Sequence, residues 1–468
     1  FRVESSVSDA QFGRGEGATI NMRYKSGTKE FRGGAYEFLR NAKLDAKNFF
    51  DSPTASIPPF KQNQFGAFLG GPLCPWKKEH KNFFFVNYEG MRVRQAQTLI
   101  TSVPPAAFRQ GDFSASQLVM YDPLTQQRLP DGSYVRQPFS GNRIAQARIN
   151  PVGQNLLNLY PQPNLGAGEA NNFLYNPVRS ITGNKFDAKL DNILTDQDTM
   201  FVRYSYGSDD LMEPSYLPAP AVGNGPGVPG ATQQPVNQIV LSETHIFSPN
   251  KVNEFRAGWT RLNLRSLNLN YGRFVSQEVG VPGGNVPGDV LTSGLSIFNI
   301  GGVQDLGDNG YSPAVIVSDN LQWSDNFSYI RGKHTVKFGG ELQRRRYNAF
   351  QSDTLRGTMS FSGVYTQNPA ATKGTGSGAA DALLGKPISG VIRFLNGTRG
   401  FRRSEPSGYI QDVFKATDRL TLTLALRYDN YIGWPWTEVN NRQYQFVPDL
   451  QDVVRVGTGQ APWRSGIA

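Results

Sequence analysis

Cysteine is nearly missing from this chain. Cys74 is the only one in 468 residues, which excludes an intramolecular disulfide and any cysteine-based zinc site built within the chain. It stands in Gly70-Gly71-Pro72-Leu73-Cys74-Pro75, a turn-like context with no histidine before His80, so no thiol nucleophile is expected there. Histidine is almost as scarce. His80, His245 and His334 are far apart, none at a metal-ligand spacing or beside a strand-to-helix nucleophile turn. No metal, no cofactor and no enzymatic activity are therefore expected. Gly13-Arg14-Gly15-Glu16-Gly17 looks superficially like a phosphate loop. It lacks the Lys and Ser/Thr that a P-loop requires, and the strand-to-helix setting of a dinucleotide fingerprint.

Long apolar runs are also missing, and no stretch reaches the eighteen or more residues that a membrane-spanning helix needs. The mean hydropathy of -0.43 leaves a transmembrane barrel open, because only alternate residues of each strand would face lipid. The net charge is +10, yet basic residues are dispersed. The one dense run is Arg344, Arg345 and Arg346, read as a solvated strand end or loop, and no nucleic-acid partner is expected. The chain opens at Phe1 without methionine or a signal peptide and closes in a Gly-rich stretch without a terminal strand. Both ends are expected to be missing.

What is present in abundance is turn residues and aromatics, with Gly 50, Pro 30 and 12% aromatic residues, together with alternation of period two. Phe186, Ala188 and Leu190 alternate with Lys185, Asp187, Lys189 and Asp191. Met200, Val202, Tyr204 and Tyr206 then alternate with Arg203 and Ser205 across a turn at 195–198. One face is apolar and the other polar, as a barrel strand between lipid and water requires. The construction returns around 249, 332 and 417. Four short turns therefore join paired strands, whereas the connections at about 98–184, 207–238 and 263–313 are long and rich in Pro, Gly, Asn and Gln. Short turns on one side and long loops on the other are characteristic of outer-membrane barrels. Aromatics at strand ends, among them Tyr88, Tyr204, Tyr206, Trp259, Trp323, Tyr428, Tyr431, Trp434 and Trp436, suit an interfacial girdle. A secreted all-β module is the competing reading, and it requires Met200, Val202, Leu420, Leu422 and Leu424 to pack against a second protein layer.

The stretch Gln11-Phe12-Gly13-Arg14-Gly15-Glu16-Gly17-Ala18-Thr19-Ile20-Asn21, then Lys25-Ser26-Gly27-Thr28 and Phe31-Arg32-Gly33-Gly34-Ala35-Tyr36-Glu37-Phe38-Leu39-Arg40-Asn41, resembles the plug-to-barrel junction of TonB-dependent outer-membrane receptors. Asn63-Gln64-Phe65-Gly66, Phe83-Phe84-Phe85 ending in Asn87-Tyr88-Glu89-Gly90, Gly111-Asp112-Phe113 and Gly332-Lys333-His334 extend the match, which is closest to the Oar-like, carboxypeptidase-regulatory-like members. The resemblance implies an all-β transmembrane antiparallel barrel of ~22 strands with a plugged lumen, of which roughly thirteen strands fall in this chain. Residues 1–29 would end the plug, and 30–468 would form the N-terminal part of the barrel. It implies residence in the bacterial outer membrane, contact with lipid and lipopolysaccharide, and energised uptake of an unknown scarce nutrient such as a metal chelate, oligosaccharide or peptide. Energy would come from the TonB-ExbB-ExbD complex through a region absent here. Oar-like relatives also imply an alternative, a surface protein with a structural, adhesive or partner-binding role and no transport.

Strand parity is read as turning Glu37, Glu89 and Glu341 toward the lumen, where Arg14 of the plug remnant could pair with one of them as a latch. Hydrated wall carboxylates are the plainer alternative. The other lumen charges, including Lys185, Asp187, Lys189, Asp191, Arg203, Glu254, Arg256, Lys337, Arg427 and Asp429, mix both signs. A wall braced by cross-strand ion pairs is expected.

Overall fold

The computed structural model describes residues 2–4, 9–13, 19–21, 23–47, 57, 59–76, 80–166, 168–351, 353–393, 397–430, 437–440, 444–447 and 452–455. Among these, a single antiparallel sheet of thirteen strands dominates. Its strands are β1 (Arg32–Asn41), β2 (Phe60–Pro72), β3 (Asn82–Ala96), β4 (Val178–Ile193), β5 (Asp198–Glu213), β6 (Gly230–Gln233), β7 (Val236–Ser248), β8 (Lys251–Leu267), β9 (Ala314–Arg331), β10 (His334–Gln351), β11 (Arg399–Lys415), β12 (Thr421–Asp429) and β13 (Thr437–Glu438). Neighbours in sequence are neighbours in the sheet, with β6 and β7 together filling one place between β5 and β8, and β13 pairing β11 beyond the end of β12. Such a meander is what short hairpin turns enforce. In one of the two tightest, Gly332 adopts φ +60 between the paired Arg331 and His334, a left-handed conformation open to glycine without a Cβ clash.

Residues paired across an antiparallel ladder share a face, so the register sorts every side chain. One face carries, in successive strands, Phe85, Lys189, Arg203, Val240, Gly258, Gln322, Gln343 and Glu405. The other carries Val86, Ala188, Tyr204, Ile239, Trp259 and Leu321. The N-terminal segment lies on the first, polar face, which is therefore the inner one. On the outer face Leu190, Ile239, Trp323, Leu342, Ile410, Leu424 and Leu426 remain exposed. Val202, Leu420, Leu422 and Leu424 are exposed as well, so the second protein layer demanded by the secreted-module reading is not there among the described residues. Tyr88, Tyr204, Tyr206, Trp259, Trp323 and Tyr428 all point outward by register. Tyr431, Trp434 and Trp436 lie outside the described residues.

The strands run further into the expected loops than alternation alone marks, beginning at Val178, ending at Glu213, resuming at Val236 and ending at Leu267, while β9 begins at Ala314, the expected end of the third loop. A fourth long connection, 352–398, joins β10 to β11. These connections are not free excursions. They pack on one another at the loop end of the sheet around an apolar core in which Phe113, Leu157, Leu217, Phe298 and Leu383 are fully buried. The layer includes α1 (Pro151–Leu159), α2 (Val275–Glu278), α3 (Gly378–Leu383) and a small sheet of 297–300, 358–361 and 389–391. Asn150 caps α1 by accepting from Val152 N and Gly153 N, with Pro151 preset for the first turn. Gly153 faces the Ala382 carbonyl where any Cβ would collide, which lets α1 and α3 touch. Polar backbone inside the layer is satisfied by buried ionic side chains. Asp381 accepts from Gly363 N (2.9 Å), Tyr365 N (3.2 Å), Thr366 N (2.9 Å) and Thr366 Oγ1 (2.8 Å). Burial nonetheless pushes its carboxyl above the usual range. Arg356 donates to the carbonyls of Asn309 (2.7 Å) and Ser312 (2.9 Å).

Candidate functional site

The inner face and the N-terminal segment it holds form the candidate site. β4, β5 and β8 to β12 each present alternate polar residues to the interior, and segments 9–13 and 23–28 run across them. Lys337 on β10 donates to Asp9 Oδ2 at 2.6 Å, and Ala10 N donates to Gln411 Oε1 on β11 at 2.9 Å. Arg427 on β12 donates through Nη1 to the carbonyls of Ala10 (3.2 Å) and Gln11 (2.9 Å). Further along, Lys189 donates to Ser26 Oγ at 2.7 Å, the Arg203 guanidinium lies 3.8 Å from the centre of the Tyr24 ring, and Lys25 lies 4.8 Å from that of Phe68.

Two glycines make this approach possible. A Cβ on Gly13 would overlap the Arg427 guanidinium, and one on Gly27 would overlap the backbone carbonyls of Phe84 and Gly71. The second collision is with sheet backbone, so it has no side chain to move aside.

The structure places the expected latch residues as follows. Arg14 lies outside the described residues. Glu89 and Glu341 are on the inner face, and both are already held by the wall. Glu89 accepts from Tyr36 Oη (3.0 Å) and Gln64 Nε2 (3.1 Å), with Lys185 Nζ at 3.5 Å. Glu341 accepts from Gln322 Nε2 (3.1 Å) and Gln343 Nε2, with Arg427 Nη2 at 3.5 Å. Glu37 does not face inward. Its register with Phe65 and Gly90 puts it on the face of Tyr88 and Phe186, and it is Tyr36, one residue earlier, that reaches Glu89. The parity of β1 cannot be read from its own sequence, because Tyr36 and Phe38 both stand on the inner side and the usual apolar-out signal is reversed.

Bracing by cross-strand ion pairs is present, in Arg179 to Glu213 at 2.8 Å, Arg345 to Glu405 at 3.2 Å and Lys185 to Glu89, and pairs within single strands add to it. Lys189 pairs with Asp191 at 2.7 Å, Arg427 with Asp429 at 2.9 Å, Arg403 with Glu405 at 3.1 Å, and Arg256 with Glu254. All four join residues i and i+2 of one strand. Side chains two apart on a strand share a face at a spacing that a long cationic arm spans. Arg427 to Glu341 reaches past β11.

Two cavities remain between segment and wall. The larger, about 800 Å³, is lined by Arg23, Tyr24, Lys189, Arg203, Glu254 and Arg256 among others. The smaller, about 250 Å³, is bounded by Phe12, Gln238, Glu341, Tyr409 and Arg427 among others. Both are polar chambers with paired charges of both signs. They can hold water or a small hydrophilic solute, and they offer no arrangement of nucleophile, base and oxyanion donors.

Of the residues that tie the segment down, Lys337 and Arg427 were legible only as charges of suitable parity, and Asp9 carried no signal in the sequence. Nothing in the sequence links positions 9 and 337. On the outer face, near the short turns, Asp198, Glu243 and His245 bring ligand atoms within 4.8 Å of one another. His245 bonds Asp198 directly across β5 and β7, a proximity that the spacing of histidines in the sequence does not signal.

No curated protein matches the chain. Among solved structures it is similar to the outer-membrane transporter YddB from Escherichia coli, with 11% identity and TM-score 0.48 over 93% of this chain and 44% of that one. It is also similar to the siderophore receptor PirA from Acinetobacter baumannii, with 13% identity and TM-score 0.44 over 92% and 43%. The chain thus spans less than half the length of either. Residues 23–467 match the family model described as the outer membrane beta barrel domain. With its outward apolar band, polar interior, short turns at one end and long loops at the other, the chain belongs to the outer-membrane β-barrel domain family and resides in the bacterial outer membrane.

Proposed function

We propose that this chain is part of a TonB-dependent receptor of Oar-like type, with residues 1–29 ending a plug, 30–468 forming barrel wall, and transport of a scarce solute as the activity of the whole protein. The observation that carries this reading is the docking of segments 9–13 and 23–28 on the inner face. Among the described residues they are held by a few charged and polar contacts and not by an apolar core. Lys337 to Asp9, Arg427 to two carbonyls and Lys189 to Ser26 are firm at rest, and each can be replaced by water once the segment is pulled. An apolar interface would resist such exchange. TonB-ExbB-ExbD is the proposed source of that pull. Charges of both signs in the two cavities suit a polar solute without selecting one class.

A disulfide that locks segment to wall tests the proposal. In the full-length protein with Cys74→Ser, Asp9→Cys and Lys337→Cys, oxidation is expected to abolish growth of a gene-deleted host on the nutrient the wild-type protein restores, and reduction to recover it. The nutrient is found from a panel of ferric chelates, oligosaccharides and peptides supplied as sole source. Full growth with the lock closed would refute energised passage. Failure of the wild-type protein to restore growth on any member, with attachment to surfaces lost in the deletion, would favour the adhesive alternative, for which the internally packed loop layer is a rigid platform.

A further inference from the structure

The outer face carries an ionic row that neither the apolar band nor the interior contacts explain. In four successive strands, β8 to β11, register places Arg261, Asp319, Arg346 and Arg402 side by side, and Thr437 of β13 continues the row. Arg344 stands one row nearer the short turns, beside Leu321 and Ser404. Adjacent strands are roughly 4.8 Å apart, so Arg346 and Arg402 are like charges directly opposite, an unfavourable pairing unless an anion joins them.

Asp319 is the carboxylate within this row, and it is already shared; Glu438, next to Thr437 and on the opposite face, also acts on Arg402. Asp319 accepts from Trp259 Nε1 at 3.2 Å and lies 3.5 Å from Arg261 Nη1. Arg402 turns to Asn348 Oδ1 at 2.9 Å and to its neighbouring Phe401 carbonyl at 2.8 Å, and Arg344 donates to Ser404 Oγ at 2.7 Å. Arg346 is exposed and makes no hydrogen bond or ion pair among the described residues. Arg261 thus pairs with Asp319, while Arg402 and Arg344 turn to neutral acceptors.

The level of the row on the wall identifies what meets it. The two outward rows immediately toward the short turns are Tyr204, Ile239, Trp259 and Leu321, then Val202, Leu241, Ala257, Trp323 and Leu342. Outward residues turn polar near this row, at Asn237, Arg261 and Asp319 within it, at Asn184 and Ser208 one row further toward the long loops, and at Arg344 one row short of it. By register the row continues through Asn237 into Tyr206, Phe186 and Tyr88, so it stands among the last aromatics of the apolar band, on the long-loop side. In an outer-membrane barrel that is the headgroup level of the outer leaflet.

We propose that Arg261, Arg346 and Arg402, supported by Arg344, bind the phosphate groups of a phosphorylated lipid of the outer leaflet, whose acyl chains lie along the Trp259, Leu321, Trp323 and Leu342 surface. Guanidinium groups grip phosphate oxygens with two parallel bonds, and one bridging phosphate relieves the Arg346–Arg402 repulsion. Asn348, Ser404 and Thr437 supply neutral polar contacts beside it. The inference rests on the membrane orientation of the wall and not on transport.

The test uses the full-length protein in detergent, titrated with bis-phosphorylated lipid A and followed by native mass spectrometry. Wild type is expected to take up the lipid. Arg346→Ala with Arg402→Ala is expected to bind it at least about tenfold more weakly, the usual scale for losing charge-assisted hydrogen bonds. Arg346→Lys with Arg402→Lys should fall between, and Lys251→Ala, outward at the short-turn end, should bind as wild type. Retained heat-modifiable migration on gels shows that each variant is folded. Equal binding of dephosphorylated lipid A, equal binding by the double alanine variant, or complete competition by equimolar inorganic phosphate would overturn the proposal.

Discussion

Replacing Arg427 by alanine should release the N-terminal segment from the wall while leaving the wall intact. The Arg427 side chain is 11% exposed, so solvent screens its contacts little. It donates to Ala10 O and Gln11 O on the segment, and to Ser407 Oγ, Asp429 and Glu341 on the wall. Hydrogen bonds from a charged donor contribute roughly 1.5–3 kcal/mol each. The two to the segment come from a single nitrogen and do not add fully, which gives a loss of about 2–4 kcal/mol in docking. Glu341 keeps Gln322 and Gln343, and the segment keeps Lys337 to Asp9 and Ala10 N to Gln411. The amides of Ala10 and Phe12 are hydrogen-bonded in the docked state, so their exchange reports release. Hydrogen–deuterium exchange read by mass spectrometry should accelerate for 9–12 by roughly 30- to 1,000-fold, with β10 to β12 still protected. Unchanged exchange in 9–12 with a protected wall would show that Arg427 does not hold the segment, and the argument for a polar, releasable dock would lose its main contact.

Leu157→Ala should cost the loop layer about 2–5 kcal/mol, because the side chain is fully buried and its cavity is lined by other fixed side chains. Faster protease cleavage in the loops with unchanged heat-modifiability of the barrel is the expected signature. Asp381→Asn puts an amide NH2 either against the donors of Gly363 and Tyr365 or against those of Thr366, leaving buried groups unpaired at about 1–3 kcal/mol or more; exchange at 363–366 should rise sharply. The hydrogen bonds from Arg148 hold the Asp122 carboxyl below its ordinary value. That pair's contribution is therefore fully present above the unfolded carboxylate pKa of about 4 and is lost as pH falls through the lower folded value. Protease resistance of loop 97–177 should decline on acidification below about pH 4, and Asp122→Asn should flatten that decline.

The sequence by itself determined the wall. Alternation of period two is a local property, and in β4, β5, β8, β9 and β10 the residues two apart already state which face is wet and where the hairpins turn. Membrane residence followed from the same pattern, since lipid on one side and water on the other is the simplest cause of such strands between turns of unequal length. Where the local signal was reversed, as at Tyr36, Glu37 and Phe38, only pairing with β2 decided the face. The loop layer was illegible for a stronger reason. Phe113, Leu157, Leu217, Phe298 and Leu383 come from four separate connections, none apolar enough to announce a core alone, and burial arises when the sheet brings their ends together. The contacts of segments 9–13 and 23–28 and the row of Arg261, Arg346 and Arg402 are likewise products of register. A ladder hydrogen bond fixes which residues stand opposite, and that relation is not written in the spacing of residues along the chain.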